Sequence, residues 1–156
     1  MDILTDKGKV TVEQEREAAF LFENSTGTRY FNTPKNKPAV VDALLIQNGN
    51  LCGIAETKCR MMSLAELDGF EYRWLVTFDK LVKAKQLAEM LCVPLVGILY
   101  LVPDKTLLYK ILANSDGSWA CDFWTKDTKT QATVNGGTVV RKNTYIDMYG
   151  AKVLKG

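Results

Sequence analysis

The sequence predicts an α/β fold built on a mixed sheet flanked by helices, and three observations carry that prediction. Two short apolar runs, Ala39 to Ile46 and Leu51 to Ala55, are joined by Gln47-Asn48-Gly49-Asn50, where Asn-Gly is a strong signal for a tight antiparallel hairpin. An amphipathic segment, Thr77 to Cys92, leads straight into Val93 to Val102, a near-continuous apolar run of strand length. A helix-forming segment, Val12 to Asn24, precedes both.

Each element has its own physical basis. Val12 to Asn24 crowds acids into its first turn, favourable at the positive end of a helix, and Thr11 is placed to cap it. Ser25 to Pro38 is rich in Gly, Pro, Asn, Ser and Thr and reads as loop with a short edge strand. The hairpin strands carry apolar residues on both faces, as expected of central strands covered on two sides. Leu81, Ala84, Leu87, Ala88 and Leu91 share one face of the second helix, with Thr77 as its cap. A helix feeding a wholly apolar strand is the pattern of a crossover to a buried parallel strand. The last third, Thr106 to Leu112, Trp119 to Trp124 and Thr138 to Met148 with turns at Asn114-Gly117 and Asn135-Gly137, reads as further strands on the same core.

With 156 residues, 47% hydrophobic and 24% charged, the chain fits one soluble domain, 1–156, with a core over about 12–102 and a strand extension over about 106–156. The longest apolar run, Leu91 to Val102, contains Pro94 and Gly97 and falls short of the ~18 residues of a membrane span. Met1 to Asp6 lacks the basic and apolar regions of a secretory signal, so a cytoplasmic location and no membrane partner are expected. Cys52, Cys59, Cys92 and Cys121 show no CxxC spacing and read as free buried thiols. There is no histidine, which removes Ser-His-Asp and Cys-His catalysis and His-ligated zinc. Carboxylate and lysine chemistry remains. The net charge of +2 neither supports nor excludes DNA as a partner.

Glu56-Thr57-Lys58 follows the second hairpin strand, and strand alternation puts Glu56 and Lys58 on one face, roughly 6–7 Å apart. A second acid-x-Lys triplet stands at Asp127-Thr128-Lys129, so the triplet alone carries no weight. Context distinguishes the first: an apolar strand leads into Glu56, and an acid, Asp42, is embedded in the neighbouring apolar strand. A carboxylate in such a run needs a cation, a partner or a strand end. Asp42, Glu56 and Lys58 could form a hard oxygen site for Mg²⁺ with an ammonium beside it. The register sets a condition. A regular two-residue turn at Asn48-Gly49 pairs Val41 with Glu56 and turns Asp42 away, so an odd loop or a bulge is required.

An Asp, a hairpin and an E-x-K triplet, preceded by a Glu-bearing helix and followed by a helix-strand crossover, resemble the PD-(D/E)xK nuclease superfamily, over Val12 to Val102. Glu15-Arg16-Glu17, with Leu21 and Glu23, resembles the first-helix signature of archaeal Holliday-junction resolvases. The resemblance implies a restriction-endonuclease-like αβββαβ core with additional C-terminal strands, and a Mg²⁺-dependent nuclease hydrolysing phosphodiester bonds in DNA, with Mn²⁺ as a substitute. It implies Asp42, Glu56, Lys58 and Glu15 as catalytic residues and Asp42, Glu56 and Thr57 as the metal site. Lys80, early in the crossover helix, matches a family position near the site and is a candidate phosphate contact. Resolvase-like work implies a homodimer. Val41 stands where the family pattern has proline. Lys35 and Lys37, with Arg29 and Tyr30, interleave basic and aromatic residues before the catalytic strand and could grip a nucleic-acid backbone. The alternative is a catalytically idle nuclease-like module that binds nucleic acid or a protein partner. Trp74, Trp119 and Trp124 read as packing residues.

Overall fold

The computed structural model describes residues 6–34, 39–132 and 138–156. Helix α1, Asp6–Thr26, begins well before Val12, so Thr11, expected as its cap, lies inside it. It stops at Gly27, whose φ of +73° and N–H bond to the Glu23 carbonyl at 2.9 Å make a left-handed C-terminal cap. The expected edge strand follows as β1, Arg29–Asn32.

Strands β2, Ala43–Gln47, and β3, Asn50–Arg60, form the hairpin. Its turn is a two-residue one, with Asn48 and Gly49 both at positive φ, 53° and 77°. The register nevertheless shifts: Ile46 faces Leu51, but Leu45 faces Gly53, so Cys52 is an extra residue bulged from β3. Past the bulge Ala43 faces Ala55, and by continuation Asp42 lies opposite Glu56. The condition that the sequence set on this hairpin is thus met by a bulge.

After β3 come a short helix α2, Leu64–Gly69, and a strand β4, Arg73–Thr77, neither of which the sequence reading anticipated. Ser63 and Glu66 close a reciprocal capping box on α2. Helix α3, Phe78–Met90, starts after Thr77, which has extended backbone but makes no side-chain capping bond. Strand β5, Leu95–Leu101, is buried at all seven positions and pairs in parallel with β3, Glu56 facing Gly97. Strands β6, Thr106–Ala113, β7, Phe123–Ala132, β8, Thr138–Asp147, and β9, Lys152–Lys155, complete the chain.

The main sheet is mixed and six-stranded, in the order β1-β2-β3-β5-β6-β9. Helix α1 covers one face, packing Ala18, Ala19 and Phe22 on Ala43, Ala55 and Ile98. The other face carries α3 through Leu81, Ala84 and Ala88, with Trp74, Val76 and Ile146 of a small antiparallel sheet, β4-β8-β7. The C-terminal strands pack on the same core, as expected, but divide between two sheets: β6 and β9 extend the main sheet, whereas β7 and β8 pair with β4. Trp119 makes only an isolated bridge to Ala113 outside any strand. Among the described residues no helix is long and apolar enough to cross a membrane.

Gly97 is a packing requirement. A Cβ there would lie 2.7–2.9 Å from three side-chain atoms of Leu112, which is fully buried. Gly97→Ala is expected to destabilise the protein by about 1–3 kcal/mol, read as a lower denaturant midpoint with unchanged m-value; an unchanged midpoint would show that Leu112 can move aside freely.

Candidate functional site

The site forms where β2 stops and β3 continues. Beyond Ala55, β3 is paired by β5 on one side, and its other edge has run past the end of β2. The Thr57 N–H on that open edge donates to Asp42 Oδ2 at 2.7 Å, so a side-chain carboxylate takes the place of a ladder carbonyl. Asp42 is fixed through its backbone as well: its N–H donates to the Ala55 carbonyl at 2.9 Å, and its carbonyl accepts from the Thr33 N–H at 3.0 Å. Backbone alternation points the Thr57 carbonyl to the same open edge as its N–H.

Glu56 and Lys58 project from the same face of β3, as the alternation predicted, and Lys80 of α3 meets Glu56 on that face. Glu56 is fully buried. Its Oε1 lies 3.2 Å from Lys80 Nζ and 3.7 Å from Lys58 Nζ, while Lys80 Nζ is 3.6 Å from Asp42 Oδ1. Two carboxylates and two ammonium groups thus converge. Glu56 Oε2 is buried without a hydrogen-bond partner. Burial, with the Asp42 charge adding to it, pushes the Glu56 carboxyl up from 4.5 to about 7, against the pull of Lys80 and Lys58. Burial alone pulls the Lys80 ammonium down, but Glu56 and Asp42 together outweigh it and raise its pKa. At 3.2 Å and an effective dielectric of about 20, the Glu56–Lys80 attraction is about 5 kcal/mol, comparable to the cost of desolvating the ions.

Glu15 stands on the other side of the sheet. Thr57 faces α1, and the Tyr30 hydroxyl bridges Glu15 Oε1 at 2.7 Å and Thr57 Oγ1 at 2.8 Å. Glu15 therefore reaches Asp42 through Tyr30 and Thr57, from the face opposite Glu56. Tyr30, grouped from the sequence with basic backbone-gripping residues, is instead buried beneath α1, its hydroxyl pKa raised well above the ordinary value by burial and by Glu15. What could have revealed it is the alternation in Arg29-Tyr30-Phe31-Asn32, of which Tyr30 alone is buried. Arg29 lies over the Phe31 ring at 4.7 Å.

Lys80, expected as a phosphate contact, points into the carboxylate pair. Lys35 and Lys37 lie outside the described residues. A groove lined by Ala39, Val40, Thr77, Asp79, Lys80 and Lys83 opens beside the pair. All four cysteines are free, as expected, but none is fully buried: Cys52, Cys59 and Cys121 are half-buried, and Cys92, at the turn after α3, is exposed.

Among the described residues no three carboxylate or thiol side chains are grouped closely enough to hold a metal ion by themselves. Two carboxylates, a main-chain carbonyl and water still suit Mg²⁺, which commonly uses one or two protein carboxylates. The orphaned Glu56 Oε2 is an acceptor left for such a cation. No family model, curated protein or solved structure matches the chain.

Glu56 gives a direct pH signature. Its folded-state pKa of about 7 lies above its ordinary 4.5, so the stability it contributes is full below about pH 4.5 and is lost as pH rises through 7. Glu56→Gln should flatten this decline and, at pH 8, raise stability over the parent by up to a few kcal/mol. Chemical denaturation from pH 5 to 8 measures it; parallel curves for parent and variant would contradict the burial-driven shift.

Proposed function

We propose that this protein is a Mg²⁺-dependent phosphodiesterase acting on DNA, with Asp42 and Glu56 as its cation-binding carboxylates. The observation that carries the reading is the Asp42–Thr57 bond past the bulge, which sets Asp42 beside a buried Glu56 in a carboxylate-x-lysine triplet. The order α1, β1, β2, β3, then α3 and β5, with α2 and β4 inserted, supports a restriction-endonuclease-like core, and β3 parallel to β5 supports it further.

Asp42 and Glu56 would hold Mg²⁺ with the Thr57 carbonyl, and Mn²⁺ would substitute. The bound ion supplies Lewis-acid stabilisation of the charge that builds on the phosphate in an in-line displacement. Lys58, half-buried beside Glu56, orients the attacking water or steadies the phosphoryl oxygens. Lys80, freed from the carboxylates, becomes a second positive charge for the phosphate. Glu15 acts through Tyr30 and Thr57, keeping the strand edge in place, which makes it a positioning residue. Lys35 and Lys37 are proposed contacts to the DNA backbone. A homodimer is proposed if the substrate is a branched junction, since two strands must then be cut.

One observation favours a second reading: Lys80 already neutralises the pair, as it would in an idle nuclease-like module that only binds. The readings separate on metal. In the nuclease reading Mg²⁺ or Mn²⁺ raises the melting temperature of the parent but not of Asp42→Ala; in the idle module neither changes.

The deciding experiment incubates the protein with supercoiled plasmid, linear duplex, single strand and a four-way junction, with and without divalent metal. Cleavage should require metal and fall by about 10²-fold or more in Glu56→Ala and Lys58→Ala. Undiminished cutting by both variants would assign the activity elsewhere.

A further inference from the structure

Strand β3 does not end at the carboxylate pair. Its parallel pairing with β5 is unbroken from Ile54 to Arg60, so alternation puts Arg60 on the same face as Glu56 and Lys58, roughly 6–7 Å beyond Lys58. Arg60 forms one wall of a cleft of about 410 Å³, a volume usual for small-ligand sites. Trp74 of β4, Phe70 at the end of α2 and Tyr145 of β8 supply other walls.

Three of these walls carry groups without a partner. Arg60 is half-buried and, among the described residues, donates to main-chain carbonyls alone, those of Cys59 and Leu75, each at 3.3 Å. No carboxylate touches it. Burial lowers the pKa of its guanidinium, and the nearby Cys59 and Glu56 groups oppose that fall, so it stays charged. The second arginine of the cleft, Arg73, is already taken: it pairs with Glu71 at 2.8 Å and lies over the Trp124 ring at 4.3 Å. Trp74 is 2% exposed, and its indole N–H is buried with no hydrogen-bond partner, a costly state that an arriving acceptor would relieve. Phe70 is exposed, and among the described residues its ring meets no other ring and no cation.

An occupant matched to these groups carries an anion for Arg60, an acceptor for Trp74 and a flat ring for Phe70. A nucleotide has all three. We propose that this cleft is a subsite for one unpaired nucleotide of the DNA strand being cut, with its phosphate on Arg60, its base stacked on Phe70 and an acceptor meeting the Trp74 N–H. The choice of DNA rests on the phosphodiesterase reading; the choice of an unpaired nucleotide rests on the cleft. A base inside a duplex is stacked on both faces and must leave the stack, at a cost, before a side chain can cover it. Aromatic stacking accepts every base, so the subsite selects strand form and not sequence. Single-stranded, frayed or branched DNA is therefore the substrate class, ahead of closed duplex.

The test measures binding separately from cleavage. E56Q protein without divalent metal is titrated with a short single strand and with the same strand paired in a duplex, from about 50 to about 200 mM salt. The single strand should bind more tightly. Adding F70A should weaken its binding about 5- to 100-fold. Adding R60Q, which keeps a donor for the Leu75 carbonyl but loses the charge, should lower the log-log salt slope by about 0.7. Phe70 is exposed, so F70A should leave the melting temperature unchanged; if R60Q lowers it, F70A decides alone. Duplex bound as tightly as the strand, no DNA binding by E56Q, or unchanged affinity in F70A with an unchanged slope in R60Q would each overturn the subsite. Cleavage by the parent that survives such a result leaves the nuclease reading intact, whereas cleft-dependent binding of the strand by a parent that never cleaves supports the subsite and overturns that reading alone.

Discussion

A single hydrogen bond organises the region on which the functional reading stands: the Thr57 N–H to the Asp42 carboxylate, at 2.7 Å. A backbone donor on a central strand must be satisfied, and past Ala55 there is no more β2 backbone to do it. Asp42 fills the vacancy in the ladder with its side chain. That is possible because the Cys52 bulge moves the register by one residue, bringing Asp42 rather than Val41 opposite Glu56. Without the extra residue, the carboxylate would face α1 and the pair would not exist.

The arrangement that results is electrostatically expensive, which is itself informative. A fully buried Glu56 next to a second carboxylate is tolerated by drawing in Lys80 and Lys58 and by a proton affinity shifted toward neutrality. Hydrophobic residues of similar volume would cost less. Groups held at such cost, with pKa values near the working pH, are characteristic of functional sites. Lys80 has two sides to its role: it compensates the carboxylates in the protein alone, and an arriving cation would have to displace it.

Much of this was legible in the sequence, and the misses have physical causes. Period-two and period-3.6 patterns and the Asn-Gly turn located α1, the hairpin, α3 and β5, because those elements bury most of their apolar residues on one sheet. Glu56 and Lys58 on one face followed from alternation; Asp42 joined them only on condition of an odd loop or bulge, and nothing in the sequence placed the bulge at Cys52. Helix α2 and β4 were missed because they are short and take much of their order from packing, as Leu67 and Trp74 do in the core. The partition of β7 and β8 into a second sheet depends on long-range pairing with β4 that no local pattern encodes. The Lys80 contact and the Tyr30 bridge join residues far apart in the chain; the side chains were visible in the sequence, but not what they would touch.

The start of β2 and the middle of β3 bring the two carboxylates together beside the first turn of α3, where Lys80 meets both. The most direct test of the central claim, that Asp42 and Glu56 hold a divalent cation together, is a calorimetric Mn²⁺ titration at about pH 6 and about pH 8, in buffers of different ionisation heat. Because Glu56 titrates near 7, binding should be weaker at the lower pH and should release a proton there, but almost none at the higher pH. No binding at millimolar Mn²⁺, or equal affinity at both pH values without proton release, would contradict the account.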